Sequence, residues 1–551
     1  MYDATLHTIN QTNYTNITEN FQADWNILHE LKLSGRFSLM SQNDGGDVFL
    51  PADAIEFAAT PDSLFNTRGS YQQTTGKELS YQGDLFLNYG KNFGRHVLFA
   101  TAGAHIQQNT SNTATVTVQG FPNDNMGDLL FGLQYPLNSV PTGSESTSRL
   151  LGYFANASYA YDDRYLLDLS FRNDGSSQFG TDRHFAPFWS VGGGWNLHKE
   201  AFFKPIKAID RLKLRASYGS TGAQNFPSYA SLQTYGYLVG GRYLDHIGAT
   251  LLGLGNTRLQ WQQTNKLNLG ADIELFHHYV QGSFNYYVEK TDNLFTQINT
   301  APSSGFSSYY ANLGNSQNKG MEVYVTAFAV KDARKNIYLS FYANLLHNVN
   351  RLQKISDALK AQNDAAVDKQ SSGEITTPVL LYKEGQSLSA IYAVRSKGID
   401  PSTGNEIFLT KDGQQTYRWD PRDEVVVGDN QPKVTGNFGT NLLYKGISLN
   451  IAMHTELGGQ MYNNTLASMV ENADPAGNVD IRVLNQRWKA PGDITPYKGL
   501  VDIYGVTRTD ITRASSRFVQ RNNTLYCDAV SFGYLVPQVI VSRWGMTRVQ
   551  G

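Results

Sequence analysis

The 551-residue sequence predicts an all-β protein, a large antiparallel β-barrel that crosses a membrane. Three observations lead to this fold class. Long segments alternate between apolar and polar residues, the connections between them alternate between short and long, and the composition combines few charges with many aromatic rings. Together these are typical of a sheet with one face in lipid and the other in water.

The composition limits the class of protein. Charged residues make up 17% and aromatic residues 12% of the chain, whereas soluble domains contain about 25% charged residues. Lys and Arg total 46 against 48 Asp and Glu, a net charge of -2, which gives no electrostatic basis for binding nucleic acid. The single cysteine, Cys527, excludes an internal disulfide and a multi-cysteine metal site.

Alternation with a period of two defines the strands. In the first clear segment, Leu167 and Leu169 are separated by Asp168 and followed by Ser170. Successive side chains of a strand point to opposite faces, so each such segment has one apolar and one polar face. The segments are 164–174, 212–219, 267–275, 280–289, 321–328, 337–344, 438–444 and 447–455. We expect roughly 18 to 20 strands in all, with boundaries uncertain by a few residues.

Strand length favours a membrane barrel over a soluble sheet. The segments span roughly nine to fifteen residues, against a mean of about 5–6 in soluble proteins, and a tilted strand crosses a bilayer in about 9–11 residues. A soluble β-sandwich or propeller shows the same alternation but has no need of such length. Aromatic residues gather at strand ends, as at Tyr159, Tyr161 and Tyr165, which predicts girdles at the membrane interfaces.

The connections are asymmetric. Short polar turns are expected at 161–164, 276–279, 331–335 and 444–446. Long connections are expected at 174–187, 220–257, 293–319, 349–389 and 457–515. An up-and-down barrel has this arrangement, with tight turns on the periplasmic side and long loops outside. One helix is predicted, at 355–369, within a long connection.

Several runs, in this order, resemble a known family. They are 162–177 (DDRYLLDLSFRNDGSS), 188–195 (FWSVGGGW), 212–225 (LKLRASYGSTGAQN), 289–295 (EKTDNLF), 312–315 (NLGN), 318–322 (NKGME), 428–435 (GDNQPKVT), 488–493 (WKAPGD) and 532–537 (FGYLVP). Each alone is a weak signal, since a DGSS or an NxG is ordinary turn chemistry, but their order is similar to that of the SusC/RagA-type TonB-dependent transporters of the Bacteroidetes outer membrane.

The resemblance implies a function and its partners. Such transporters import oligosaccharides or peptides across the Gram-negative outer membrane through a barrel of roughly 22 strands. The implied partners are a SusD-like surface lipoprotein, the TonB–ExbB–ExbD complex, the substrate and outer-membrane lipid. The resemblance implies neither an enzyme nor a cofactor.

The sequence also departs from the family pattern at both ends. We expect residues 1–551 to be the barrel portion of a receptor, because no plug, TonB-binding segment or signal peptide is recognisable before residue 20. The segment 543–550 (RWGMTRVQ) is interpreted as the middle of a strand, with the terminal strands missing. The barrel is therefore expected to be incomplete.

Signatures of catalysis are absent from the sequence. There is no HExxH, GxSxG or GxxxxGK[ST] motif, and the three glycines at 192–194 fit a close backbone approach within a strand. Oxygen ligands at Asp400, Asn405 and Asp412 raise the possibility of a structural Ca²⁺ site, but their spacing does not match an EF-hand loop and leaves that site unsupported. The sequence therefore predicts no catalytic residue and no bound metal or cofactor.

Aromatic residues in the long loops are the candidate substrate contacts, because sugars present apolar faces to aromatic rings and hydroxyls to polar groups. The candidates are Tyr229, Tyr235, Tyr237, Arg242, Tyr243, Tyr309, Tyr310, Tyr462, Trp488 and Tyr497. An alternative role for these rings is to hold the loops together or to dock the lipoprotein. Two rival functions stay open: a passive porin or adhesin-like barrel, and a secreted β-rich glycoside hydrolase or carbohydrate-binding protein.

Overall fold

The computed structural model describes residues 6–180, 184–224, 227–243, 246–299, 308–312, 314–474, 477–508 and 510–546. Its main element is an antiparallel sheet of 15 strands. In spatial order these are β1 (Ile9–Asn26), β2 (Leu31–Leu50), β3 (Ser70–Phe93), β4 (His96–Gln119), β5 (Thr142–Tyr161), β6 (Tyr165–Ser176), β7 (Phe185–Asn196), β8 (Ile209–Ala223), β11 (Gln262–Leu275), β12 (Val280–Asp292), β15 (Asn315–Asp332), β16 (Ile337–Lys354), β21 (Val434–Tyr444), β22 (Ile447–Tyr462) and β23 (Val519–Tyr534). Within the described residues, β1 and β23 are the edge strands.

The remaining strands lie in the connections. Two two-stranded sheets and one four-stranded sheet are formed by β9 (Thr234–Tyr243) with β10 (His246–Gly253), by β13 (Phe295–Asn299) with β14 (Ser308–Asn312), and by β17 (Ala390–Ile399), β18 (Glu406–Leu409), β19 (Gln415–Thr416) and β20 (Glu424–Asp429). The α-helices are α1 (Asp357–Ser372), α2 (Asn464–Leu466), α3 (Ile481–Asn485) and α4 (Gln538–Val541). In the described part of the chain, no helix combines the length and apolar character needed to cross a membrane.

The strand register aligns the predicted faces across the sheet. Leu169 pairs with Val191, Val191 with Tyr218, Tyr218 with Leu267, and Leu267 with Val288. These side chains and others in the same rows form one surface, here called the apolar face. It is open rather than packed: Leu169 is 43% exposed.

The adjacent row, one residue further along each strand, is polar. Ser170 pairs with Ser190, Ser190 with Gly219, Gly219 with Lys266, and Lys266 with Glu289. This opposite surface is called the polar face. Because a shift of one residue would exchange the two faces, the continuous rows fix the register of the whole sheet.

The two ends of the sheet differ as the sequence predicts. The connections 27–30, 94–95, 162–164, 276–279, 333–336 and 445–446 all lie at one end, the short-turn end. The turn at Asp162 and Asp163 has φ values of 53° and 52°, a left-handed conformation that Asp tolerates better than most residues. The longest connections all lie at the other end, the long-loop end, as in an outer-membrane barrel.

Aromatic rings line the short-turn end of the apolar face. Phe93 and His96 stack at 5.2 Å between centroids, His96 lies 5.0 Å from Tyr161, and Tyr161, Tyr165 and Trp195 follow at 6.4 Å each. Rings of this kind sit at the boundary between hydrocarbon and headgroups. The predicted girdle is therefore present at this end.

The two longest connections fold together into a compact unit, here called the loop module, comprising 355–433 and 463–518. It contains α1, which begins where Ser356 Oγ accepts a hydrogen bond from the Leu359 N–H and ends at Gly373, with φ of 84°. Both are standard helix-end features. The helix predicted at 355–369 is thus confirmed, with its boundaries shifted by two or three residues.

Two expectations from the sequence need correction. The large sheet contains 15 strands in the described residues rather than roughly 18 to 20, because several strand-like segments form the small sheets in the connections. The segment 543–550 is not strand where it is described. Pro537 has no N–H for the ladder, α4 follows it, and the Met546 N–H bonds to the Val541 carbonyl after Gly545, with φ of 70°.

Candidate functional site

The polar face carries ion pairs between neighbouring strands. Arg215 Nη2 lies 3.1 Å from Asp272 Oδ1 and donates a 2.6 Å hydrogen bond to Asn285 Oδ1. Lys266 Nζ lies 2.6 Å from Glu289 Oε1. Pairs across adjacent strands stabilise a polar surface and leave it wettable. Asp272 and Glu289 thus lie on the polar face with their cations, which suits the wall of an aqueous channel.

A recess interrupts this wall at the three glycines 192–194. Its volume is about 180 Å³, and Asp168, Lys213 and Asn268 line it. A Cβ on Gly194 would lie 3.2 Å from a side-chain atom of Lys213, so the missing side chains create the space. The glycine run lies within a strand, as the sequence indicates, but the expected close backbone approach is wrong: a Cβ on Gly192 or Gly193 would have no neighbour closer than 3.7 Å, so the glycines leave open space.

The two halves of the loop module are joined by backbone and side-chain bonds. Val394 of β17 forms a parallel bridge with Ser515. The indole N–H of Trp419 donates to the Ala514 carbonyl at 2.8 Å. Arg513 lies over the Trp419 ring at 5.0 Å. Residues 94 to 121 positions apart in sequence therefore pack as one structure.

A buried charge network lies at this junction. Arg517 Nη2 is 2.9 Å from Glu406 Oε2 and 2.7 Å from Glu471 Oε1. Thr512 Oγ1 donates to the same Glu471 oxygen at 3.1 Å. Burial alone would lower the pKa of Arg517, but the two carboxylates outweigh it and raise that pKa. A buried cation between two carboxylates is costly to disrupt, because loss of one partner leaves charge uncompensated.

A second buried carboxyl joins α1 to the four-stranded sheet. Gln370 Nε2 donates to Glu424 Oε1 at 3.1 Å, and both residues are buried. Burial raises the pKa of Glu424 to about 7, although the bond from Gln370 and the nearby Lys383 and Lys411 oppose the rise. The carboxyl therefore titrates near neutral pH.

The β9–β10 hairpin presents the most open of the predicted contacts. Tyr235 is 64% and Tyr237 82% exposed. Arg242 and Tyr243 belong to β9, but their side chains lie outside the described residues. Only Tyr235 and Tyr237 are thus described as open aromatic platforms on this hairpin.

Three further candidates make contacts inside the loops. Tyr229 has φ of 69°, and its hydroxyl accepts a 3.0 Å hydrogen bond from the Thr147 N–H of β5. Tyr310 stacks on Phe295 with centroids 5.0 Å apart, and Tyr309 beside it is half-buried. These contacts are those of rings that hold loops together, the alternative role left open by the sequence.

Tyr462, Trp488 and Tyr497 are brought together by the loop module. Tyr497 is buried in a cluster with Phe518, and Tyr462 packs against that cluster with its ring 5.8 Å from Phe518. Trp488 is 2% exposed and its indole donates to the Pro401 carbonyl at 2.8 Å.

Sequence reasoning did not find Arg517, Glu406 or Glu471, because a salt bridge spanning up to 111 positions leaves no local pattern.

Two of the three residues considered for Ca²⁺, Asp400 and Asn405, accept hydrogen bonds from protein donors. Asp400 accepts hydrogen bonds from Ser402 and Thr403, and the bond from the Tyr417 hydroxyl is the largest cause that lowers its pKa to about 2. Asn405 Oδ1 accepts from Arg508 at 2.6 Å. Over the described ranges, no group of three or more His, Cys, Asp or Glu side chains could hold a metal ion.

Comparison with known proteins decides the family. The family model described as "TonB dependent receptor-like, beta-barrel" matches residues 2–500. The chain belongs to this family. It is a receptor and transporter family rather than an enzyme family, and the resemblance to SusC/RagA-type receptors noted from the sequence is confirmed.

The receptor is similar to several curated proteins. It is 26% identical over 559 residues to the TonB-dependent receptor P3 of Formosa agariphila, covering 96% of this chain and 52% of that protein. It is 26% identical over 339 residues to the TonB-dependent receptor SusC of Bacteroides thetaiotaomicron, covering 59% of this chain and 33% of SusC. The chain thus spans about half the length, or less, of the curated relatives it matches.

Solved structures bear out the fold. The receptor superimposes on the RagAB peptide transporter with a TM-score of 0.85 at 19% identity, covering 100% of this chain and 58% of that chain. The RagAB importer in its 'open-open' state gives a TM-score of 0.81 at 20% identity, covering 98% and 56%. The all-β, large antiparallel fold predicted from the sequence is confirmed.

Proposed function

We propose that this receptor forms the wall of a TonB-coupled importer of oligosaccharides or peptides in the Gram-negative outer membrane. One observation carries the proposal: across β6, β7, β8, β11 and β12, the apolar row and the polar row lie on opposite faces of the large sheet, and the apolar side chains are open. A soluble protein would bury such a face, whereas lipid covers it in a membrane barrel.

The long-loop end supports a protein partner. Large apolar side chains stand open there, with Leu130 88%, Leu137 90%, Ile494 90% and Tyr504 83% exposed. Open apolar groups outside the bilayer favour a docked protein. We propose that this partner is a SusD-like surface lipoprotein that covers the long-loop end.

Substrate contact is proposed for Tyr235 and Tyr237, the two of the ten loop residues predicted from the sequence whose rings are described as open. Both rings are open, so a sugar ring or an apolar peptide side chain can lie against them without moving a loop. Sugar and peptide stay equal alternatives, since both offer apolar surface beside hydrogen-bonding groups.

Energy coupling belongs to the same proposal. We propose that residues 1–551 are the barrel part of the receptor and that TonB–ExbB–ExbD acts through a plug, which no described element provides. The rival passive porin needs no coupling. Uptake that stops when TonB is deleted separates the two.

The test is transport in cells. Deletion of the gene should abolish growth on one class of oligosaccharide or peptide, and the intact locus should restore it only when TonB is present. The protein should sediment with the outer membrane. Recovery in the soluble fraction after osmotic shock, or uptake independent of TonB, would overturn the proposal.

A further inference from the structure

A groove lies on the apolar face, toward the long-loop end of β12, β15 and β16. Its volume is about 440 Å³, and its lining includes Tyr286, Met321, Val349, Lys319, His347 and Arg351. The part of the groove nearer the middle of the sheet is apolar, and the part nearer the long-loop end is basic. No role assigned so far uses it.

The strand register shows that these residues share a face. Tyr286 pairs with Met321, and Met321 with His347, which puts all three in one row. The next row toward the long-loop end holds Lys319 beside Val349. Side chains two residues apart on a strand lie on the same face, so Lys319 faces outward with Met321.

The last row of the groove adds further cations. Gln317 pairs with Lys290 on one side and with Arg351 on the other. Arg351 lies near the end of β16, so this row is close to the long-loop end. Lys290, Lys319 and Arg351 are therefore neighbours on the outward face of three consecutive strands.

These three cations have no acidic partner in the described chain. None of them forms a salt bridge with a described residue, whereas Lys266 on the polar face is paired with Glu289. The nearest outward carboxylate in the same strand is Asp292, two residues beyond Lys290, and both of these residues flank the groove lining. His347 adds an imidazole, whose Nδ1 lies 2.5 Å from the Lys433 carbonyl oxygen.

Cations on a lipid-facing surface are costly at the bilayer midplane and are tolerated near the interface. Three of them grouped at one interface attract anionic groups of the headgroup layer. Arg and Lys both bind phosphate. The Arg guanidinium donates two parallel hydrogen bonds to it, and the Lys ammonium acts as a point charge. Tyr286 and Met321 lie toward the bilayer centre from these cations, and Val349 lies beside Lys319.

We propose that this groove binds a phosphorylated lipid of the leaflet at the long-loop end. The phosphate lies against Arg351 and Lys319, with Lys290 beside it, and an acyl chain lies along Tyr286 and Met321. This rests on the membrane placement under the proposed function. The ligand class is an anionic amphiphile held from the bilayer, not a transported solute.

The test uses the protein purified in detergent from outer membranes, with lipid retention measured by native mass spectrometry. The probes are monophosphoryl lipid A, the same lipid without phosphate, and phosphatidylcholine. The wild type should retain the phosphorylated lipid at least tenfold better than the other two. The double variant Lys319→Gln/Arg351→Gln should lose that preference.

The matched control is Lys331→Gln/Lys445→Gln, which removes two cations at the short-turn end. It should retain the lipid as the wild type does. Equal retention by the groove variant, or equal binding of the lipid without phosphate, would overturn the proposal. Displacement by millimolar inorganic phosphate would show a free-anion site and overturn the lipid assignment.

Membrane fractionation distinguishes a failure of the lipid-binding proposal from a failure of the proposed importer function. Wild-type protein in the outer membrane without lipid preference contradicts only the groove, whereas wild-type protein outside the membrane contradicts the importer. The groove variant must also show the gel migration of the folded wild type when unheated, which excludes misfolding as the cause of lost binding.

Discussion

The large sheet and the loop module follow opposite packing rules in one chain. In the sheet, Leu169 and its row neighbours stay open, and the charges on the other face form pairs in a wettable wall. In the loop module, Trp488 and Phe518 are buried, and the charges of Arg517 and Glu471 are buried with them. The sheet is built for lipid on one side, while the module is packed like a small soluble domain.

The difference shows where each region gets its stability. The sheet depends on the ladder and on a solvent that covers its apolar face, so a bilayer replaces a core. The module depends on its own buried contacts and on a few charge pairs that cannot be lost singly. Substitutions should therefore separate the two regions cleanly.

The largest effect is expected in the module. Arg517→Met leaves Glu406 and Glu471 buried without their cation and should destabilise the module by about 3–5 kcal/mol. Limited proteolysis should then cut within 355–433 or 463–518 while the sheet stays resistant. Arg508→Met is the control, because the Arg508 side chain donates to Asn405 and to the Thr403 and Val501 carbonyls and forms no ion pair with a described carboxylate. Resistance equal to the wild type would show that the module does not depend on the network.

The next effect is expected in the sheet. Leu345→Arg puts a cation on the apolar face in the middle of β16 and should cost about 2–4 kcal/mol in a membrane. Asn344→Arg, one residue away on the polar face and also exposed, should cost little. The measurement is the urea midpoint for unfolding from lipid vesicles. Equal midpoints would break the distinction between the faces.

A pH dependence should be confined to the module. Because burial raises the pKa of Glu424 from 4.5 to about 7, the folded module binds more protons than the unfolded chain between those values. The contribution of Glu424 to the stability of the module should be full below pH 4.5 and fall by about 2–3 kcal/mol as the pH rises through 7. Hydrogen exchange of α1 should report this fall. Glu424→Gln should remove it, and a dependence that persists in the variant would contradict the assignment.

The smallest effect concerns substrate. Tyr237→Ala removes an open ring and should weaken substrate binding about threefold to tenfold, equivalent to about 0.5–1.5 kcal/mol, with no change in proteolysis. Trp488→Ala should instead loosen the module, because Trp488 is buried against Pro401. Isothermal titration with the transported substrate tests both. Unchanged affinity in Tyr237→Ala would remove that residue from the candidate contacts.

Local pattern explains which parts the sequence could predict. The alternation around Leu167 and Asp168 and the short turn at Asp162 depend on neighbouring residues only, so strands, faces and short turns were predictable. The module was not, because Arg517 meets Glu406 across 111 positions. The same limit applies to Trp488, whose aromatic character predicts a contact but not whether that contact is substrate or Pro401.

The central claim is that lipid covers the apolar face while water reaches the polar face. Spin labels placed singly at positions 167 to 172, with Cys527→Ser as background, test it in lipid vesicles. Labels at 167, 169 and 171 should be relaxed by oxygen, and labels at 168, 170 and 172 by an aqueous nickel chelate. Equal access of both reagents along the segment, or protection of the odd positions from both, would contradict the account.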